Sequence, residues 1–315
     1  HNKYYHPAMT NVQYPRSPLH LPTKKEKYKT GVKALKYENW FEIDDTYPNQ
    51  MALKDKLLKE KLDIVFKTTQ DETTTKAKQE VLDTTVRNVL DSFPTLFSLD
   101  GDWLQLPTGS KLRVKGEIGD PLVVASKIVQ EDLCILTPTT NENDPYQLTA
   151  AVVAFPMGWD LSEKFRKGLH EIHNPVQPYR EDYRFVVHKI CNTSKLAVWR
   201  TNWAIFEFLE NPQDLFVPPH IYAEKSKSIE LTEEEVAKKV LLRVERQTMR
   251  KLKNSQAILF TLRTYQRPLQ ELENHGQEAK ELAEEIRDLT SEHSKYKRSD
   301  VWGEKVLKYL DSISA

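Results

Sequence analysis

Two alternating apolar segments near the end of the chain constrain the fold most strongly. The segments VLLRVERQTM (240–249) and AILFTLRTY (257–265) are joined by the polar stretch KLKNSQ. Alternation of apolar and polar residues with a period of two is typical of strands that bury one face. A short polar connection between two such strands predicts an antiparallel hairpin. The chain is therefore expected to contain at least one long antiparallel pair.

The alternation also predicts which side chains share a face of this hairpin. A register that keeps the apolar side chains of both strands together also brings the polar ones together. The polar face then contains Arg243, Glu245, Gln247, Thr261, Arg263 and Tyr265. On that face we expect a cross-strand pair between Glu245 and Arg263. Such a face is either a solvated sheet surface or a wall that binds anions through its guanidinium groups.

The rest of the pattern predicts a mixed protein in which helices flank several strands. Helical spacing of valines and leucines is clearest before Pro94, which ends the pattern. The expected helices span 38–66, 74–93, 160–172, 179–191 and the region after Pro268, and the further strands span 132–138, 146–156 and 199–208. An α+β fold, with an antiparallel sheet and helices packed on one face, fits this order best.

The two ends of the chain differ in character from its middle. Residues 1–31 carry four prolines and no sustained period, and they are expected to form an extended arm. The sequence after Pro268 is strongly charged and helical in pattern. We place the main domain at residues 32–290 and a helical tail at residues 291–315.

The composition narrows the classes of partner. The 46 basic residues balance the 46 acidic ones, so no net charge favours nucleic acid or an anionic membrane. No apolar run reaches the roughly 18–20 residues that a membrane helix needs. Cys134 and Cys191 are too few for a disulfide framework or an iron–sulfur cluster, and they favour buried thiols in a reducing, intracellular compartment. Because the chain starts at His1 and not at methionine, the compartment itself stays open.

The stretch GLHEIHNPVQPY (168–179) contains two histidines that share a helix face, His170 and His173. A zinc site needs further ligands, and the HExxH spacing of zinc proteases is absent. A single axial histidine for haem iron needs less, and His173 followed by Asn174 and Pro175 suits a ligand at a helix end. A structural histidine is the alternative, and it is the commoner meaning of such a pattern. The GxSxG, GxGxxG and GxxxxGK[ST] motifs are also absent.

Seven motifs follow one another between about residues 33 and 290. They read YENWFEIDDTYPNQMALKDKLL, FPTLF, VQEDLCIL, FPMGWDLSEKF, IHNPVQPY, WRTNW and LRVERQTMRKLKNSQAILFTLRTYQRPL. Together, in this order, they resemble the haem-dependent oxidative N-demethylase family. The resemblance implies a PAS-like antiparallel β-sheet that encloses haem b, with N-terminal and C-terminal helices. It makes residues 32–290 the PAS-like haem-binding catalytic domain.

The resemblance also implies an activity. A small secondary amine, dimethylamine in the characterised case, is oxidatively demethylated to a primary amine and formaldehyde. The reaction uses O2 and electrons from a reductase that carries FMN and a [2Fe–2S] cluster. This chain has neither cluster cysteines nor a nucleotide-binding loop, so the reductase is expected on a separate polypeptide. The alternatives are a haem-binding PAS-like gas or redox sensor without turnover, and a scaffold that has lost haem.

Site residues carried over from the resemblance centre on His173 of the IHNPV motif, which is the expected proximal ligand of the iron. The expected partners of the haem propionates, or lining residues of the same pocket, are Arg200, Asn202, Arg243, Arg246 and Arg263. A dialkylamine is largely protonated near neutral pH, so its site should offer a strong acceptor. Glu131 and Glu245 are the candidates for that catalytic-site carboxylate, and a haem propionate is the alternative acceptor.

Overall fold

A seven-stranded antiparallel sheet lies at the centre of the fold. The computed structural model describes residues 12–21, 32–173, 192–193, 197–207, 214–219 and 231–314. In these residues the strands are β1 (Lys33–Ala34), β2 (Phe66–Thr68), β3 (Ser98–Asp100), β4 (Trp103–Gln105), β5 (Lys111–Arg113), β6 (Asp132–Pro138), β7 (Tyr146–Val152), β8 (Ala197–Glu207), β9 (Val240–Lys251) and β10 (Ile258–Pro268). The large sheet has the order β1-β8-β9-β10-β6-β7-β2, and β3, β4 and β5 form a small second sheet.

Helices precede, interrupt and follow these strands. The α-helices of the described residues are α1 (Tyr47–Glu60), α2 (Leu62–Val65), α3 (Glu72–Ser92), α4 (Pro121–Ser126), α5 (Leu161–Lys164), α6 (Leu169–His173), α7 (Glu233–Lys239), α8 (Gly276–Arg287), α9 (Ser291–Lys297) and α10 (Ser299–Ile313). The expected α+β class with an antiparallel sheet is confirmed. None of the helices in this described part is long and apolar enough to cross a membrane.

The expected face pairing in the β9–β10 hairpin is wrong by one residue. Arg246 lies opposite Arg263, and Glu245 lies opposite Thr264. Directly opposite residues share a face of the sheet, so Glu245 and Arg263 point to opposite faces and do not pair. The alternation of apolar residues predicted the wrong face because side chains on both faces of β10 are buried. Ile258 and the adjacent Leu259, which point to opposite faces, are each at most 1% exposed. An apolar residue in such a strand does not mark one face.

The two faces of the central strands differ in accessibility. One, which we call the packed face, carries buried side chains: Val244, Arg246, Thr248, Thr261, Arg263 and Tyr265. The other, which we call the open face, carries partly buried side chains at its centre: Arg200, Asn202, Glu245, Gln247, Met249 and Phe260.

Most of the helical mass lies against the packed face. Helices α1, α3 and α4 share an apolar cluster with β6 and β7, and α7, α8 and α10 share another with β8, β9 and β10. Short helices α5 and α6 instead pack against Cys134, Leu136 and other apolar side chains on the open-face side. Helices therefore flank both faces, whereas the sequence pattern predicted one. Cys134 is buried as expected, and burial raises the pKa of its thiol.

The single helix expected over 160–172 is divided into α5 and α6. Arg166, between them, has φ 67° and donates its backbone N–H to the Leu148 carbonyl on β7. The segment thus pairs briefly with a strand, which a continuous helix would not allow. The helix expected over 179–191 lies outside the described residues, as does Cys191.

Candidate functional site

The centre of the open face is more accessible than the packed face. Its central strands β8, β9 and β10 pair along most of their length, so their backbones are rigidly held. Polar Asn202 and Glu245 lie directly opposite each other there, beside Arg200 and the apolar Phe260 and Met249. A largely apolar surface with a few convergent polar groups is the usual composition of a small-molecule site.

His173 lies at the end of α6, whose Leu169 and Ile172 pack on the apolar side of the open face. Its Nδ1 atom is 2.8 Å from the carbonyl oxygen of Leu169. Because a carbonyl oxygen only accepts, Nδ1 must carry the proton, and the lone pair of the neutral ring is on Nε2. Burial, followed by the charges of Lys164 and Arg200, lowers the pKa of His173 to about 4. The imidazole is therefore neutral at pH 7.

The start of α6 is fixed by the loop between β6 and β7. The carboxylate of Asp144 accepts hydrogen bonds from the backbone N–H groups of His170 (3.0 Å) and Glu171 (3.2 Å). A Cβ atom on Gly168 would lie 1.9 Å from Oδ2 of Asp144, so glycine is required for this close approach. The sheet thereby holds the short helix that carries His173.

A family model described as "haem-dependent oxidative N-demethylase, alpha subunit-like" matches residues 31–307. The chain belongs to this family. The resemblance seen in the motifs is confirmed, and the family is one of haem-dependent oxidoreductases that demethylate at nitrogen. The description as an alpha subunit points to a partner subunit.

The residues on the open face fit the haem of this family. A neutral imidazole whose Nδ1–H donates to a carbonyl is the form that ligates a metal through Nε2. Met249 and Phe260 offer apolar surface, and Arg200 offers a cation for a carboxylate. Among the described residues, no group of three or more His, Cys, Asp or Glu side chains could hold a metal ion by itself. An axial haem ligand needs one side chain only.

The two predicted carboxylates do not share a site. Glu245 is on the open face with its side chain 19% exposed, and its Oε1 is 3.7 Å from Nε of Arg243. Glu131 is fully buried beside the residues that support the packed face, where its Oε1 accepts from the backbone N–H of Glu42 at 2.8 Å. Burial, opposed by the charge of Arg263, raises the pKa of Glu131 to about 7.

Arg246 and Arg263 point to the packed face and bind the segment that precedes α1. Arg263 donates to Asp44 at 2.7 Å and to the carbonyl oxygen of Glu42 at 3.2 Å. Arg246 donates to the carbonyl oxygens of Trp40 and Asn39, at 3.1 and 2.6 Å.

Arg243 is buried on the open-face side and donates to the carbonyl oxygens of Phe155 and Leu215. Contact of Arg243, Arg246 or Arg263 with haem stays a prediction. Of the predicted set, Arg200, Asn202, Arg243 and Glu245 lie on the open-face side, against which Leu169 and Ile172 of α6 pack.

Sequence reasoning missed two lysines near this face, Lys164 and Lys297. Lys164 ends α5, and Lys297 ends α9, within the stretch expected to be a separate tail. Nζ of Lys297 donates to Oδ1 of Asn202 at 3.4 Å and to the carbonyl oxygen of Trp203. Lys164 lies within the FPMGWDLSEKF motif, which could have marked it as a candidate site residue. Nothing in the sequence relates residue 297 to residue 202.

Proposed function

We propose that this chain binds haem b on the open face through Nε2 of His173 and demethylates a small secondary amine. Dimethylamine is the first candidate substrate, and the products are the primary amine and formaldehyde. The observation that carries the proposal is the 2.8 Å contact between Nδ1 of His173 and the Leu169 carbonyl oxygen, in a chain of this family. It selects the tautomer that an axial ligand requires. In this proposal the sheet is PAS-like and encloses the cofactor.

The bound haem supplies the activation of O2 for oxidation of a carbon next to nitrogen. The electrons are proposed to come from a separate reductase with FMN and a [2Fe–2S] cluster. The protein's own task is to hold the ligand, exclude water and orient the amine. The apolar surface of Met249 and Phe260 suits both the macrocycle and the methyl groups of the substrate.

Glu245 is the proposed acceptor for the cationic amine. A charged N–H group in a largely apolar site needs a strong hydrogen-bond acceptor, and a carboxylate serves best. Glu245 is partly accessible on the open face, whereas Glu131 is fully buried among residues of the packed face. Asn202, directly opposite Glu245, offers a second polar group at the same place. We therefore assign substrate binding to Glu245 and not to Glu131.

The deciding experiment is the visible absorption spectrum of the haem-reconstituted protein, oxidised and reduced. We expect a Soret band that shifts on reduction, and we expect His173→Ala to lose or shift it. His170→Gln is the matched control, since that histidine is three residues earlier in the same helix, and it should keep the wild-type spectrum. A folded protein that takes up no haem, or a His173→Ala spectrum equal to wild type, contradicts the proposal.

The second measurement is amine-dependent formaldehyde release by the reconstituted protein in the presence of O2 and an electron donor. We expect release with dimethylamine and none without an amine. Histidine-ligated haem without formaldehyde release would favour the gas or redox sensor instead.

A further inference from the structure

Lys297 reaches the candidate site from outside the sheet. It is the last residue of α9, and its Nζ lies 4.1 Å from the centroid of the Trp203 ring. Its two hydrogen-bond acceptors belong to neighbouring residues of β8, Asn202 on the open face and Trp203 on the packed face. In the described residues, strand β1 pairs with β8 at Val198 and Trp199. Lys297 contacts β8 further along the strand, at Asn202 and Trp203.

The position of Lys297 is fixed by contacts at the junction between α9 and α10. The indole N–H of Trp302 donates to the Lys297 carbonyl oxygen at 3.0 Å, and the Trp302 ring packs edge-on against Trp203 at 6.3 Å. Arg298, with φ 59°, ends α9 and starts the turn into α10. The packed junction between α9 and α10 therefore holds Lys297 against β8.

Among the described residues, the charge of Lys297 has no carboxylate within ion-pair distance, and both of its acceptors are neutral oxygens. Burial, followed by repulsion from Arg200, lowers the pKa of Lys297 to about 7, while Glu245 and Glu285 act in the opposite direction. An ammonium that is partly withdrawn from water without an anionic partner is unfavourable, and an anionic ligand would offset that cost.

A second lysine approaches the same charges from the other side of the face. Burial lowers the pKa of Lys164, with Glu245 among the groups that raise it, and its Nζ lies 5.2 Å from the Trp159 ring centroid. The charge of Glu245 acts on both lysines, and it is the one carboxylate among the central open-face side chains. The surroundings are suited to an anion in addition to the cationic amine.

We infer that Lys297, together with Arg200, binds the carboxylate groups of haem, so that α9 is part of the cofactor site. This inference rests on the proposed function and adds a binding residue to it. Both cations attract the carboxylate of a propionate.

The test compares haem with haem dimethyl ester, in which both propionates are neutral. Apoprotein is titrated with each by Soret absorbance, in wild type, Lys297→Met and Lys297→Arg. Lys295→Met is the matched control, because Lys295 is exposed on the same short helix. We expect Lys297→Met to weaken haem binding about tenfold, the effect of one lost ion pair of roughly 1.4 kcal/mol. Binding of the ester should be unchanged in that variant, and Lys297→Arg and Lys295→Met should resemble wild type.

Three outcomes overturn the inference in distinguishable ways. If Lys297→Met weakens haem and the ester equally, the lysine holds the fold and not the propionates. If the variant binds both as wild type does, the lysine is not involved. If wild type takes up neither compound, the proposed function fails as well. The ester reports on the integrity of the pocket in every variant, so a poorly folded variant is recognised directly.

Discussion

The carboxylate of Asp144 occupies the space that a Cβ atom on Gly168 would need, only 1.9 Å from Oδ2. Asp144 belongs to the loop between β6 and β7, and it binds the first backbone N–H groups of α6. The position of His173 at the other end of this five-residue helix is thus set by a loop far from the helix in sequence.

Asp144→Ala should weaken haem binding. Loss of a helix N-cap costs about 0.5–2 kcal/mol, and α6 is too short to form without help. We expect haem affinity to fall several-fold, with Asp144→Asn restoring part of it, measured by Soret titration. Gly168→Ala should act in the same direction, because the added methyl group displaces the Asp144 carboxylate.

Asp160→Ala provides the control for this prediction. Asp160 caps the neighbouring helix α5 through the backbone N–H of Ser162 at 2.8 Å, but α5 carries no proposed iron ligand. It should lower stability without a comparable loss of haem affinity. Equal losses of haem affinity in the Asp144 and Asp160 variants would show that general destabilisation is the cause.

The Asp44–Arg263 ion pair should matter more for stability than any surface pair. Its partners are at most 2% exposed and 2.7 Å apart. Asp44→Ala leaves the buried guanidinium without its carboxylate, at a cost of roughly 3–5 kcal/mol. Urea unfolding should show this loss. Asp311→Ala breaks the exposed pair with Arg287 and should cost only a small fraction of it. Similar losses in both variants would contradict the prediction.

Glu131 should make stability depend on pH. Burial raises its folded pKa to about 7, above the ordinary value of 4.5. Between these values the unfolded chain releases the proton and the folded protein keeps it, so rising pH favours unfolding. Relative to Glu131→Gln, wild type should lose on the order of 3 kcal/mol of unfolding free energy as the pH rises from below 4.5 to about 8, and the curve should level off above that. Urea unfolding at several pH values measures this, and parallel curves would refute it.

Glu245→Gln should separate substrate binding from cofactor binding. The neutral amide still accepts a hydrogen bond but lacks the charge that attracts a protonated amine. We expect KM for dimethylamine to rise at least tenfold, with haem affinity unchanged. Gln247→Asn, two residues along the same face, is the control and should leave KM close to wild type. A loss of haem affinity without a change in KM would assign Glu245 to the cofactor instead.

The sequence predicted where the long strands lie but not which face of the sheet each of their side chains occupies. The segments predicted at 132–138, 199–208 and 240–249 coincide with β6, β8 and β9 of the described residues, because short apolar or alternating runs that end at turn residues are local information. The register of β9 on β10 depends on what covers each face, and helices from distant parts of the chain decide that. For this reason Arg263 was placed beside Glu245.

The candidate site was predictable only where a motif marks it. His173, Arg200 and Asn202 all lie in motifs. The structure places Arg200 and Asn202 on the open face, near helix α6, which carries His173. Lys297 and Asp144 act through contacts with residues distant along the chain, and no local pattern announces them. Their roles follow from tertiary packing alone.

The pairing of β6 with β10 has a consequence for how the protein is made. Leu136 on β6 lies opposite Ile258 on β10, which is more than a third of the chain away. Strand β9, which lies between β8 and β10 in the sheet, also comes late in the sequence. Pairings between such distant segments form slowly, since a long loop must close first. During synthesis the open face is incomplete until the residues of β10 have left the ribosome. Under the proposed function, haem would therefore be bound near the end of folding, because a shorter nascent chain lacks part of the open face.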